Sequence, residues 1–384
     1  STLFPYTTLF RSIVKENRTY DQVLGDLGIG NGDPSLTLFP ESVTPNHHQL
    51  ARDFVLLDNF YVNADVSADG HNWSSAAIAP PYVHRMWPNS YAGRRRFYDY
   101  EGTERAAQPP AGYIWNNVLA AGLTLRNYGW WVNLKPLNQT QDGIHIASVR
   151  DPALEPHTSK TFRGYDLAYK DVDRARAFIA ELKQYEAQGA LPNFITLRIG
   201  NDHTSGAAAN RPTPRAQVAD NDLALGMIVE AVSKSRFWAK TAIFVLEDDA
   251  QNGPDHVDSH RAPAYVISPY TRGRGIDSTF YNTVSMIRTM GLILGLRPMT
   301  IHDAGARPMF AAFHTKPNPA PYSAITPQQT LNELNPPKTA LAERSAPLHW
   351  AEADMIDDNE LNEILWLAIK GTQPPAPTRS YFGR

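Results

Sequence analysis

A three-layer α/β/α sandwich built on a doubly wound, mostly parallel sheet is the fold this sequence predicts, and three observations predict it. Short apolar runs alternate with stretches of helical periodicity. Polar clusters recur directly after those runs, where open α/β sheets hold their ligands. The 384 residues, 42% of them hydrophobic, suffice to bury one large core.

The first twelve residues, STLFPYTTLFRS, carry neither an initiator Met nor the basic and apolar regions of a signal peptide. They resemble a translated sequencing adapter. On that reading residues 1–12 are a non-native leader, the native chain begins at about Ile13, and any signal peptide has been lost. Ile13–Lys15 then reads as the tail of a strand, with Glu16 and Asn17 at its end before a short helix. Phe54–Val62 (FVLLDNFYV) reads as a second strand, after which Ser67 or Asp69 is placed to cap a helix over Asn72–Ala79. Residues 80–110 are rich in Pro, Tyr, Trp and Arg without a period, and read as an ordered cap-like insertion. Around it, Trp73, Trp87, Tyr91, Tyr98 and Tyr100 either line a pocket mouth or simply pack. Arg94, Arg95 and Arg96 form a short basic cluster, a candidate phosphate contact.

Helical spacing returns over Ile114–Leu123, then a strand over 124–132 and a long amphipathic helix over Asp171–Gly189. The strand Asn193–Ile199 ends in Asn201, Asp202 and His203. A helix over 219–235 leads into the apolar run TAIFV and the pair Asp248–Asp249, and one more strand (264–270) and helix (283–295) follow. Residues 13–315 thus read as one domain. Residues 316–384 read as a Pro-rich irregular wrap on the same domain, closed by an amphipathic helix over 359–371.

Composition removes several function classes. The formal charge of −3 and the lack of a sustained Lys/Arg run exclude a nucleic-acid surface. No apolar segment reaches the ~18 residues a membrane span requires. Without cysteine there is no disulfide, thiolate ligand or cysteine nucleophile, so any metal must be held by O and N atoms. The four glycines of Leu24–Pro34 (LGDLGIGNGDP) lack the register of a dinucleotide loop and read as a turn, and His47 and His48 read as surface.

The densest chemistry lies in Phe244–His260, where five carboxylates and two imidazoles fall within seventeen residues after a buried strand. Asp248, Asp249, Asp255, His256, Asp258 and His260 offer the donors that Zn, Mn or Fe accept. Three further clusters follow predicted strands: Glu16 with Asn17; Ser67 with Asp69 and His71; and Asn201 with Asp202 and His203. Four such clusters converge on one rim of the sheet and suit one or two divalent ions. A serine at a helix N-terminus beside a metal loses its proton more readily, and free backbone amides there hold an incoming phosphate. Hydroxyl, metal and amide cradle together describe phosphoryl transfer, with Ser67 attacking phosphorus to form a phosphoserine that water then hydrolyses.

ENRTYD near the start, a Ser-x-x-Gly-His segment, NDHT, and DD-x5-DHV after a strand resemble the phosphoesterase family of the alkaline phosphatase superfamily, which includes bacterial acid phosphatases and phospholipases C. The resemblance spans about Ile13 to Phe313. It implies metal ligation by Glu16, Asn17, Asp248 and Asp249, with Ser67 as nucleophile and ligand, and a second metal group of Asp202, His203 and His260. His71 and His256 are then the catalytic imidazoles, while Asn72, Asn201 and Asp255 face substrate. SADGH is also similar to the nucleophile segment of cofactor-independent phosphoglycerate mutases, although Asp248–Asp249 stands where superfamily members commonly have Asp-His. One or two ions (Zn, Mn, Fe, Mg or Ca) and a small-molecule or lipid phosphate ester are implied, in a periplasmic or secreted protein. The pattern is similar to a bacterial subgroup often found with an upstream β-propeller. The alternatives are a phospholipase C-like diesterase, which the aromatic segment suits, and an exported non-catalytic module that binds metal or a phospho-ligand.

Overall fold

The computed structural model describes residues 9–95 and 98–375. Residues 1–8 of the stretch read as a leader, and Arg96 of the basic cluster, lie outside the described residues. Leu9–Ser12 belong to the first strand.

From β1 (Leu9–Lys15) the chain passes through α1 (Tyr20–Leu24) and α2 (Pro45–Asp53) to two very short strands, β2 (Val55–Leu56) and β3 (Phe60–Tyr61). Helices α3 (Ser67–Ala76), α4 (Pro81–Ser90) and α5 (Ile114–Ala120) precede β4 (Leu125–Tyr128) and a hairpin of β5 (Val132–Leu134) with β6 (Ile146–Val149). Then come α6 (Asp171–Gln188), β7 (Phe194–Arg198), α7 (Pro214–Lys234), β8 (Thr241–Glu247) and β9 (Ala264–Ile267). The short strands β10 (Gly275–Ile276) and β11 (Tyr281–Asn282) lead to α8 (Thr283–Leu294), α9 (Ile301–Gly305), α10 (Ala340–Ser345) and α11 (Asp358–Lys370).

The central sheet has the order β4-β7-β1-β8-β9, parallel except for β9. In the middle of it Ile13 stands opposite Leu197 on one side and Val245 on the other. Side chains alternate across the sheet, and both faces are apolar because both are covered. Ile13, Ile195, Leu197, Ile243 and Val245 join a core with residues of α2, α6 and α7. Val14, Phe194, Phe244 and Leu246 join a second core with residues of α5 and α8. This is the doubly wound α/β sandwich that the alternation predicts.

Several elements differ from expectation. Phe54–Val62 is not a strand of the main sheet: Asp58 and Asn59 interrupt it, and its halves pair separately with β10 and β11. The strand over 124–132 breaks at Gly129 (φ +87°) and Trp131 (φ +51°), both in the left-handed region, so it becomes β4 and β5. The cap-like stretch holds a ten-residue helix, α4, whose Pro81 fits the first helical turn and whose Pro88 hides the period. His47 and His48 are buried rather than on the surface. His47 Nδ1 lies 2.6 Å from Asp222, and His48 Nε2 lies 2.8 Å from Asp26. Among the described residues no helix is long and apolar enough to cross a membrane.

Candidate active site

Parallel neighbours in a sheet end side by side, and that sets up the site. Lys15 of β1 stands opposite Glu247 of β8, so Glu16 and Asn17 emerge beside Asp248 and Asp249. The Asp248 amide donates to the Lys15 carbonyl at 3.1 Å and fixes this alignment. Asn17 turns the chain with φ +73°, a conformation asparagine tolerates better than most residues. Helix α3 then packs its first turn against the end of β8. A Cβ at Gly70 would lie 2.6 Å from the Asp248 carbonyl oxygen, so glycine is what permits the approach. Ser67, the first residue of α3, is thereby brought among the carboxylates. Its Oγ donates to Asp249 Oδ2 at 2.9 Å, lies 3.4 Å from Glu16 Oε2, and receives Asn17 Nδ2 at 3.3 Å.

The electrostatics are unbalanced toward negative charge. Glu16, Asp248 and Asp249 are each 0% exposed. Burial works to raise the Glu16 carboxyl, but the Arg198 guanidinium and His71 overcome it and hold it at about 2. Burial, then the neighbouring Glu16, pushes Asp248 up to about 7. Asp249 is raised too, by burial and then by Asp248. Burial and Arg198 oppose a charge on His71, yet its contacts with Asp248, Glu101 and Glu16 prevail and raise it. Trp130 packs edge-on to that ring, at 5.2 Å.

Three buried oxygens, Asp248 Oδ1 and Oδ2 and Asn17 Oδ1, have no hydrogen-bond partner among the described residues. His71 Nε2 comes within 3.3 Å of Asp248 Oδ2, an ion-pair distance without hydrogen-bond geometry. Buried acceptors left without donors are costly unless something else neutralises them. Glu16, His71 and Asp248 also bring ligand atoms within 4.8 Å of one another. The residues fit a divalent cation: oxygen-rich, buried, and with acceptors left without donors.

At the N-terminus of α3 the amides of Ser67 and Ala68 have no intrahelical acceptor. They donate instead to Asp354, at 2.8 Å to Oδ1 and 2.6 Å to Oδ2. The helix begins at Ser67 rather than Asn72, and Asp69, not Ser67, caps it by accepting from the Val66 amide at 3.0 Å. Beside the cluster opens a cavity of about 310 Å³, whose lining includes Tyr100, Glu101, Arg150, Tyr165, Arg198 and Glu352. Of the expected aromatic mouth, Tyr100 is part of this lining and also of a small apolar cluster against which Trp87, Tyr91 and Tyr98 pack. Arg94 and Arg95 are exposed, Arg94 lying over the Tyr91 ring.

The second expected metal group does not assemble. Asp202 accepts from Lys15 Nζ at 2.8 Å and from the Glu16 amide at 3.1 Å, so its carboxylate is already neutralised. His203 turns Nδ1 to the Thr204 carbonyl at 2.9 Å and Nε2 to Gln251 at 3.1 Å. His260 sits at the surface between Asp65 and Asp258, each 2.9 Å away. His256 and Asp255, expected at the reacting centre, form a separate cluster with Asp21 and Arg261. Asn201 Nδ2 donates to Tyr169 and Asp220, and Asn72 Nδ2 donates to Ala68 and Tyr100, while Asn72 Oδ1 has no hydrogen-bond partner among the described residues.

Sequence reasoning missed Lys15, Arg198, Glu101 and Asp354. Arg198 carried a signal as the one charge of β7, standing at its end, and Lys15 closes β1 directly before Glu16. Asp354 carried none, lying in an irregular stretch far along the chain.

A model of the Phosphoesterase family matches residues 30–297, well over half of the chain. A protein of the alkaline phosphatase superfamily from Vibrio parahaemolyticus has a similar fold, with a TM-score of 0.50, 16% identity, and coverage of 79% of this chain and 69% of that one. The lipoteichoic acid synthase LtaP from Listeria monocytogenes aligns with a TM-score of 0.49 and 10% identity over 96% of this chain and 93% of its own. A 2-O GAG sulfatase aligns with a TM-score of 0.48 and 10% identity, covering 82% and 76%. No curated protein sequence matches the chain.

Proposed function

The chain belongs to the Phosphoesterase family and is an ester hydrolase, and on that basis we propose that it cleaves phosphate esters through Ser67 with a divalent cation. One observation carries the reading: the Ser67 hydroxyl, on the first residue of α3, donates to buried Asp249 beside carboxylate and amide oxygens that lack donors. Glu16, Asn17, Ser67, Asp248 and Asp249 would hold the ion, with Asn17 offering its amide oxygen. When bound, a divalent ion supplies positive charge that favours the serine alkoxide and offsets charge on the phosphoryl oxygens.

The chain's own residues do the rest. The Ser67 and Ala68 amides hold the phosphoryl oxygens at the helix N-terminus. Asp249 Oδ2 takes the hydroxyl proton as Ser67 Oγ attacks phosphorus in line; the P–O bond to the leaving group breaks, and its oxygen takes a proton from solvent as the alcohol departs. A water molecule then attacks the phosphoserine, releasing orthophosphate, or a phosphate monoester from a diester, and the serine oxygen recovers its proton. Arg198 and His71 keep Glu16 ionised.

The test combines elemental analysis of the purified protein with turnover of phosphate monoesters, phosphodiesters and phosphatidylcholine, with and without chelator. We expect bound divalent metal and hydrolysis that chelation abolishes. Turnover that survives complete removal of metal sinks the cation, and a metal-loaded protein inert on every ester sinks the reaction. The relative rates on the three substrate types separate a monoesterase from a phospholipase C-like diesterase.

A further inference from the structure

We propose that Asp354 keeps the phosphoryl seat of this site shut, and that residues 351–357 must withdraw before an ester binds. The inference rests on the reading of Ser67 given above and adds regulation to it. Asp354 Oδ1 and Oδ2 accept from the successive amides of Ser67 and Ala68, at 2.8 and 2.6 Å. Ser67 supplies one of those amides and also the hydroxyl, so whatever binds the amide pair lies within reach of the nucleophile. A pair of anionic oxygens on a helix N-terminus is the arrangement that two phosphoryl oxygens would take. The carboxylate fills it, but it offers no phosphorus to attack.

The occupant comes from a part of the chain beyond the family-matched residues 30–297. Its segment lies outside the sheet, although it lends Ile356 to the main core and Ala353 to a smaller apolar cluster. The Ala92 amide donates to the Asp354 carbonyl at 2.8 Å, the Asp358 amide donates to Tyr91 Oη at 2.6 Å, and Asn362 Nδ2 donates to the Gln251 carbonyl at 2.6 Å. Ala351, Glu352 and Ala353 of the same segment wall the 310 Å³ cavity.

Two features make the contact releasable. Asp354 has φ +60°, a left-handed conformation uncommon outside glycine, although aspartate is among the residues that tolerate it. It also stands among like charges, with Asp69, Asp249 and Asp358 all close enough to be repelled by it. A phosphate bound at these two amides would take the place of the carboxylate.

The experiment measures binding rather than turnover. Inorganic phosphate is titrated calorimetrically into the full-length, metal-loaded protein, comparing wild type with Asp354→Gly, which removes the carboxylate and is at ease at φ +60°. We expect the variant to bind phosphate at least tenfold more tightly. Equal or weaker binding overturns the proposal, because Asp354 would then be a structural cap or part of the binding apparatus. Should the glycine variant fail to fold, Asp354→Asn, nearly isosteric and tolerant of the backbone, is read the same way with a several-fold gain expected. Failure of the reaction reading shows up separately, as absence of ester turnover in wild type and variants alike, and leaves the phosphate isotherms interpretable.

Discussion

Two acidic clusters, both drawing on Phe244–His260 and both with metal-like spacing, come to opposite ends in the folded chain. Around Asp21, Asp255 and His256, Arg261 fills the centre. Its Nη2 reaches Asp21 at 3.0 Å, Nε reaches Asp255 at 3.0 Å, and Nη1 reaches the carbonyls of Asn31 and Asp58 at 2.7 and 3.1 Å. The guanidinium also stacks on Tyr20, 4.3 Å from the ring centroid. Around Glu16, His71 and Asp248, Arg198 pairs with Glu16, but both Asp248 oxygens are without hydrogen-bond donors among the described residues. Density of carboxylates does not distinguish a working site from a structural knot. Whether the chain supplies a donor to every carboxylate oxygen does, as it does for Asp21 and Asp255.

Four measurements break or sharpen that contrast. Ser67→Ala should lower turnover of an aryl phosphate by about 10³-fold or more while the melting temperature holds, since the deletion of a nucleophile costs catalysis and little packing; turnover within tenfold of wild type would remove Ser67 from its role. Arg261→Met should destabilise the fold by about 3–5 kcal/mol in denaturant titrations, because it leaves Asp21 and Asp255 buried without their partner. If stability is unchanged, the first cluster is not neutralised by Arg261. Asp248→Asn should go the other way in chelator-treated protein, raising stability by about 1–2 kcal/mol by removing a buried charge without donors, and should abolish metal binding; a destabilised variant would place Asp248 with the structural knots.

The smallest effect concerns His260, whose bonds to Asp65 and Asp258 outweigh partial burial and raise it to about 9. Its folded value lies above the unfolded value of about 6.5. Its stabilising contribution is therefore complete below about pH 6.5 and is lost as pH rises through about 9. His260→Gln should flatten the melting temperature between those limits by a small amount, because the ring is half-exposed and solvent screens it. An unchanged slope would detach His260 from both carboxylates.

The layout of the sheet was legible because β7 and β8 are buried on both faces and so read as apolar runs, whereas of β1 only Ile13–Lys15 was read, Arg11 and Ser12 interrupting it. The strand ends were legible for the same reason, and Glu16, Asn17, Asp248 and Asp249 do come together with Ser67. Spacing along the chain misled for His256 and His260, whose loop leaves the rim after Asp249 and returns toward Asp21 and Asp65. Phe54–Val62 misled because alternation of apolar residues says nothing about which edge a strand joins. Asp354 was invisible because its role depends on a contact across 287 residues with the Ser67 amide, and no local pattern encodes that.

Lys15 carries a consequence of its own. Its ammonium lies 2.8 Å from both Asp202 and Glu247, with all three side chains at most 2% exposed. A cation tethered to β1 cannot diffuse away, be exchanged for another metal, or be stripped by a chelator. Half of the charge balance beneath the site is thus inherited with the sequence and is indifferent to what ions the surroundings supply. Starving the protein of metal should therefore leave the sheet and its strand ends in place, so that the site waits assembled for whichever ion arrives.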